Sequence, residues 1–189
     1  KGGSGTLVYQ GASAFTNFVA VRGGMLVLDY RNNNGRKLAS AYGMTNALAV
    51  RGAIEFIGND AENTSEYVTD IDTTELSLPA NRASYGPGSI TVRTGIGRNF
   101  TLQAQRITQV GTGDGANPLD ITLINNGGGV AQVTVAAQSD GVIGAHHTFN
   151  RSTWLEIAGG VVAGLADGDY STVFADDDSG INQNVDVKA

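Results

Sequence analysis

The 189-residue chain contains no cysteine, three prolines, two histidines and one tryptophan. Without thiols it has neither disulfide staples nor a cysteine-based zinc site, so its fold must stand on packing and backbone ladders alone. Basic charge is scarce as well: 12 Lys and Arg stand against 18 Asp and Glu, for a net charge of −6. Nucleic-acid binding needs a basic stripe to neutralise phosphates, and none is visible. The same deficit argues against anchoring on an anionic membrane surface. No apolar run approaches the ~18 residues of a membrane span, so membrane insertion is not expected. The chain starts at Lys1 with neither an initiating Met nor a signal peptide. It therefore reads as a segment or processed product of a longer chain.

Glycine is what the sequence has in excess, at 27 residues, about twice its ordinary share. Glycine supplies the positive-φ positions of tight turns and weakens helix interiors. Together with a 41% hydrophobic content, this predicts many short strands joined by tight turns around one continuous core. Lys37 to Asn46 is the one stretch that could form a short helix, and Gly43 interrupts it.

One internal repeat is clear. Val19-Ala20-Val21-Arg22-Gly23-Gly24-Met25-Leu26-Val27-Leu28 aligns with Leu48-Ala49-Val50-Arg51-Gly52-Ala53-Ile54-Glu55-Phe56-Ile57 at an offset of 29 positions, Ala20 to Ala49. Each copy reads as strand, glycine turn, strand, with Val19, Val21, Leu26 and Leu28 on one side. Apolar-polar-apolar triplets follow at irregular spacing: Leu76-Ser77-Leu78, Ile90-Thr91-Val92, Phe100-Thr101-Leu102, Ile121-Thr122-Leu123 and Val133-Thr134-Val135. Turn chemistry separates them, at Asn32 to Gly35, Gly86 to Gly88, Gly111 to Gly115 and Asn125 to Gly129.

Two all-β architectures suit this pattern. One is a β-sandwich of hairpin-paired strands. The other is a right-handed parallel β-helix, a β-solenoid with Gly- and Asn-rich turns, spanning residues 1–189 as a single domain. The Ala-Val-Arg-Gly repeat favours the solenoid, because equivalent positions on successive coils become stacked neighbours.

Gly5-Thr6-Leu7-Val8-Tyr9-Gln10-Gly11-Ala12, Phe18-Val19-Ala20-Val21 and Gly23-Gly24-Met25-Leu26-Val27-Leu28-Asp29 together resemble the autotransporter-associated β-strand repeat. The series Gly141 to Gly144, Phe149-Asn150, Trp154, Gly159 to Leu165 and Asn182 to Val187 is similar to a segment recurring in very large bacterial surface proteins built from such repeats. The two stretches cover about half the chain. The resemblance implies an exported, passenger-like parallel β-helix acting as stalk, coat or adhesive surface, and it implies no catalytic residue or cofactor.

Several constellations could carry chemistry. His146 and His147 are adjacent, so on a strand they face opposite ways and cannot share one metal; a turn-exposed polar pair is the expectation. Asp167, Asp169, Asp176 and Asp178 alternate near glycine as calcium ligands can, but lack the EF-hand closing Glu and the β-roll nonapeptide. They are candidate calcium ligands, and solvated loop acids is the preferred reading. Asp70 and Asp72 share a strand face and could serve glycoside hydrolysis, yet no sugar-stacking aromatics cluster beside them in the sequence. No Gly-x-Ser-x-Gly elbow is present, and Gly111 to Gly115 lacks the Lys-Ser/Thr of a phosphate loop. Arg22 and Arg51 are expected as exposed edge residues, and Asn32 to Asn34 as part of an amide ladder between coils. Glycosylation sequons occur at Asn63, Asn99 and Asn150.

These features predict a non-catalytic structural component of an extracellular or cell-surface fibrous assembly. Its expected partners are copies of itself, head to tail, or neighbouring repeats of a parent chain. The alternative is an adhesin or receptor-binding module with a glycan ligand, using loops such as Asn59 to Tyr67 or Arg106 to Pro118. A carbohydrate-active β-helix enzyme ranks third.

Overall fold

The computed structural model describes residues 1–12, 19–38, 47–73, 87–108, 118–143 and 147–166. Over these residues the chain is all-β, with fourteen strands and no helix. In chain order the strands are β1 (Thr6–Tyr9), β2 (Val19–Val21), β3 (Met25–Asp29), β4 (Ala47–Val50), β5 (Ala53–Ile57), β6 (Thr64–Asp72) and β7 (Gly88–Arg93). There follow β8 (Phe100–Thr108), β9 (Leu119–Ile124), β10 (Ala131–Val135), β11 (Gly141–Val142), β12 (Thr148–Phe149), β13 (Thr153–Ala158) and β14 (Val161–Gly164). They form one curled, mixed sheet in the order β1-β3-β5-β7-β9-β12-β13-β14-β10-β8-β6-β4-β2, with β11 beside β13.

From β1 to β10 each strand pairs in parallel with the strand two further along the chain. The odd strands thus make one parallel ladder and the even strands another. Period-2 alternation supplies the core between them. Leu26, Ile54, Ile90 and Ile121 lie in one register column, and Leu28, Phe56, Val92 and Leu123 in the next. All of these except Leu123 are buried, and Phe100 packs edge-on against both Phe56 and Tyr30. The described apolar-polar-apolar triplets all fall on strands with apolar members turned inward, whereas Leu76 to Leu78 lies outside the described residues.

The repeat is realised with one correction. Val19, Ala20 and Val21 pair with Leu48, Ala49 and Val50 as the 29-residue offset requires. In the second strand, however, Leu26 meets Ile54 and Leu28 meets Phe56, an offset of 28. Three residues (Arg22 to Gly24) link β2 to β3, but only two (Arg51 and Gly52) link β4 to β5. A one-residue slip exchanges the two faces of a strand, so the shorter turn is what keeps Ile54 and Phe56 inside and Glu55 outside. The two arginines also differ: Arg22 is exposed as expected, but Arg51 is buried.

The long strands β6 and β8 contain a corner. Their pairing runs from Thr64↔Phe100 to Val68↔Ala104, skips Thr69, and resumes from Asp70↔Arg106 to Asp72↔Thr108. The buried positions that face the core advance by two up to Val68 and Ala104, and the next buried apolar side chains come three further on, at Ile71 and Ile107. The corner reverses which residues face in. As a result Asp70 and Asp72 flank the inward Ile71.

Turns stack as closely as strands. Gly95 packs so tightly under the Asn59 carbonyl that a β-carbon there would overlap it. Gly127 and Gly128 hold φ of 57° and 88° in the turn after β9, a region that glycine enters at little cost. Asn34 Nδ2 donates to the Asn63 carbonyl at 2.9 Å, Asn63 Oδ1 accepts from Asn99 N–H at 3.0 Å, and Asn99 Oδ1 accepts from Val130 N–H at 2.9 Å. Asparagines thus bridge turns through backbone partners; of the expected Asn32 to Asn34 amide ladder, Asn34 takes part, whereas Asn33 Oδ1 accepts Gly35 N–H within its own turn.

Among the described strands, antiparallel pairing is confined to partners of β13 and β14. β13 runs beside β12 and then β14, and β14 reaches β10, so this group joins the odd ladder to the even one. Leu155 and Ile157 from β13 are fully buried there.

Candidate functional site

The most concentrated polar chemistry lies inside the core. Glu66 occupies the register column of Leu102 and Val133, where an apolar residue would be expected, and has no exposed surface. Its Oε2 accepts from Tyr30 Oη at 2.5 Å, Lys37 N–H at 2.7 Å and Leu38 N–H at 3.0 Å. Its Oε1 accepts from Tyr67 N–H at 3.1 Å. Buried charge is tolerated only when satisfied in this way. Burial, reinforced by the Glu66 charge, pushes the Tyr30 phenol far above its ordinary range and keeps it a donor.

Lys37 completes the cluster. It is fully buried, and its Nζ donates to the carbonyls of Gln10, Gly11 and Asn33 at 3.0, 2.9 and 3.2 Å. The ammonium sits 4.6 Å from the Tyr30 ring centroid, a cation–π distance. Burial lowers its pKa, against the opposing charges of Asp29 and Glu66. All three ammonium protons are committed to carbonyls, so the amine has no lone pair to offer a substrate. The group is a staple between the turn after β1 and the segment after β3. Sequence reasoning missed it, for nothing in the chain marks which Lys and which Glu are buried.

Asp29, also without exposed surface, receives Arg31 in a forked contact at 2.9 and 2.7 Å and Gln10 Nε2 at 2.8 Å. The Arg31 hydrogen bond is the main cause holding its carboxyl well below the usual carboxylate range, against the cost of burial.

The sequence candidates separate. Asp70 and Asp72 do share the outward side of β6, but Asp70 is ion-paired to Arg106 across to β8, and both carboxylates are largely buried beside Ala47 and Ala49 of β4. His147 corrects the turn-exposed expectation: it is buried, and its Nδ1 accepts the Leu119 N–H at 3.0 Å, which places the ring proton on Nε2. His146, Asp167, Asp169, Asp176 and Asp178 lie outside the described residues, as do residues 39–46 of the helix expectation, Gly111 to Gly115 and most of the Arg106 to Pro118 loop. Among the described residues no three of His, Asp and Glu lie together as a metal-holding group. Nor is any described helix long and apolar enough to cross a membrane.

A cavity sits at the end of the sheet where β1 and β2 lie. It has a volume of about 270 Å³ and is lined by Lys1, Leu7, Tyr9, Val19, Leu26, Leu28 and Leu38 among others. Leu7 belongs to the Leu26–Ile54–Ile90 column, yet it is 50% exposed where those three are 6, 1 and 0% exposed. Among the described residues the cavity is therefore the uncovered end of the apolar core.

No family model, curated protein or solved structure matches the chain. The geometry has to carry the functional reading. It offers saturated polar clusters that fasten one strand to the next, and an apolar core uncovered at one end.

Proposed function

We propose that this chain is a non-catalytic structural element, a stretch of right-handed parallel β-helix in an extracellular or cell-surface fibrous assembly of the autotransporter-associated β-strand repeat kind. The observation that carries the reading is the repeated parallel pairing of each strand with the one two further on, with apolar columns between the ladders. Such an arrangement is extended by adding strands to its edge, each burying the apolar face of the last. The uncovered end fits this. β1 pairs with β3 alone among the described strands, and Leu7 and Val8 on it are 50% and 54% exposed. An exposed apolar edge strand is a template for another strand. Here a further copy of the chain or a neighbouring repeat of a parent chain supplies it, and apolar surface is buried on both sides.

Electron microscopy of the purified chain across a concentration series tests this. Rods or filaments that lengthen with concentration, and that are lost in Leu7→Lys and Val8→Lys, are the expected result. Monodisperse, compact monomers at the highest concentration would overturn the assembly role.

A further inference from the structure

The outward face of the even ladder carries a second feature. In β6, β8 and β10 the register is fixed as Ser65↔Thr101↔Gln132 and Tyr67↔Gln103↔Thr134. These six side chains alternate with the buried ones, and each is exposed or half-buried. They form a grid of two positions by three strands in which every member is a hydroxyl or an amide. Thr69 and Gln105 continue it to the corner, and ionic side chains begin only beyond that, with Asp70 and Arg106. The outward face of the odd ladder is different, with a Glu55–Arg93 ion pair at 3.0 Å and Asp120 beside Arg151.

An uncharged lattice of donors and acceptors is matched by a ligand that is itself an uncharged lattice of hydroxyls. Parallel strands lie about 4.8 Å apart, close to the length of one sugar residue in an extended glycan. A sugar chain laid across the strands, along a row, therefore meets one strand per residue. Gln132 Nε2 already donates to Thr101 Oγ1 at 2.9 Å, which holds both side chains in place before a ligand arrives and lowers the ordering cost of binding. Tyr67 adds an aromatic ring within the grid, and its apolar surface suits the C–H face of a pyranose. Among the described residues none of the six grid positions is charged, and the nearest ionic pair, Asp70 with Arg106, lies past the corner.

We infer that the β6–β8–β10 face binds a neutral polysaccharide, laid across the strands with its hydroxyls on the Ser65–Thr101–Gln132 and Tyr67–Gln103–Thr134 rows. The inference is independent of whether the chain assembles. It also places binding on a sheet face and not in the loops.

Affinity electrophoresis of the full chain tests it, in gels containing a neutral β-glucan, a neutral galactomannan or polygalacturonate. The expected result is retardation in at least one neutral gel, little changed by salt, and none in polygalacturonate. Gln103→Glu and Tyr67→Ala should each weaken it about tenfold or more, and Thr91→Glu on the other face should leave it unchanged. Far-UV circular dichroism establishes that each variant is folded. Three results would overturn the inference: no retardation in either neutral gel, retention by polygalacturonate alone that salt abolishes, or neutral-glycan binding that survives both grid variants.

Discussion

Tyr30 and Glu66, 36 positions apart, meet in the core through a 2.5 Å hydrogen bond from Tyr30 Oη to Glu66 Oε2, with neither residue exposed. A carboxylate in a column otherwise filled by Leu102 and Val133 is costly unless it is hydrogen-bonded, and here a phenol and two backbone N–H groups donate to Oε2 and a third N–H donates to Oε1. Once the ligands are in place, the same carboxylate orders the segment that carries Lys37 and Leu38.

Removing the carboxylate is therefore expected to cost more than removing one of its partners. Glu66→Leu strands the Tyr30 hydroxyl and the Lys37 and Leu38 amides, and should lower stability by about 3 kcal/mol or more. Tyr30→Phe deletes one donor and should cost about 1–3 kcal/mol. Urea denaturation gives both values. A Glu66→Leu variant as stable as the parent would show that the buried network contributes no stability.

Alkaline pH addresses the same pair. Because the folded state raises the Tyr30 pKa, its neutral form contributes stability that is complete below the unfolded value of about 10 and is lost as pH rises past it. The stability gap between the parent and Tyr30→Phe should accordingly narrow above that pH. In tyrosinate absorbance, one of the six tyrosines should ionise only as the chain unfolds, and that step should vanish in Tyr30→Phe. Ionisation of Tyr30 in the folded protein near its ordinary pKa would refute the assignment.

Acid pH probes Asp29, whose folded pKa is depressed chiefly by Arg31. Its contribution is present above the unfolded value of about 4 and is lost as pH falls below it. Asp29→Asn has no such titration, so the parent should be the more stable protein at neutral pH and converge on the variant in acid. Melting temperatures of the two at pH 6, 4 and 3 provide the check, and a gap that stays constant would rule the linkage out.

Much of the fold was legible because its signals are local. Triplets such as Ile90-Thr91-Val92 announce strands with one inward face, and the shared Ala-Val-Arg-Gly placed Ala20 opposite Ala49 correctly. The errors arise where a local pattern is overridden. A turn shortened by one residue moved Ile54, not Glu55, beneath Leu26. The β6 corner changed the inward phase between Val68 and Ile71. The two aspartates do lie on one side of β6, but the partner that commits Asp70, Arg106, comes from 36 positions away. The buried state of Lys37, Glu66 and His147 is likewise set by distant segments, and no spacing rule reports it. The asparagines of all three sequons use Oδ1 to accept a backbone N–H from another turn or strand. The same residues that read as glycosylation sites are structural bridges.

The stacking of turns offers the sharpest test of how closely successive layers approach. Gly95 and Gly128 both lie in turns of the odd ladder but are glycine for different reasons. Gly128 has φ of 88° with nothing near a prospective β-carbon, so Gly128→Ala costs only the left-handed backbone penalty, about 1–2 kcal/mol. At Gly95 the φ is ordinary, but the β-carbon would run into the Asn59 carbonyl and the Asp60 amide of the layer beneath. Backbone cannot swing aside as a side chain can, and Asn59 is held by its own bonds to the Tyr30 and Arg31 carbonyls at 2.9 and 3.1 Å. Gly95→Ala must therefore separate two layers, and it should cost more than about 4 kcal/mol. In urea denaturation Gly128→Ala should shift the midpoint modestly, while Gly95→Ala should unfold or nearly so. Equal, small shifts for both would mean that the turns are spaced more widely than direct backbone contact requires.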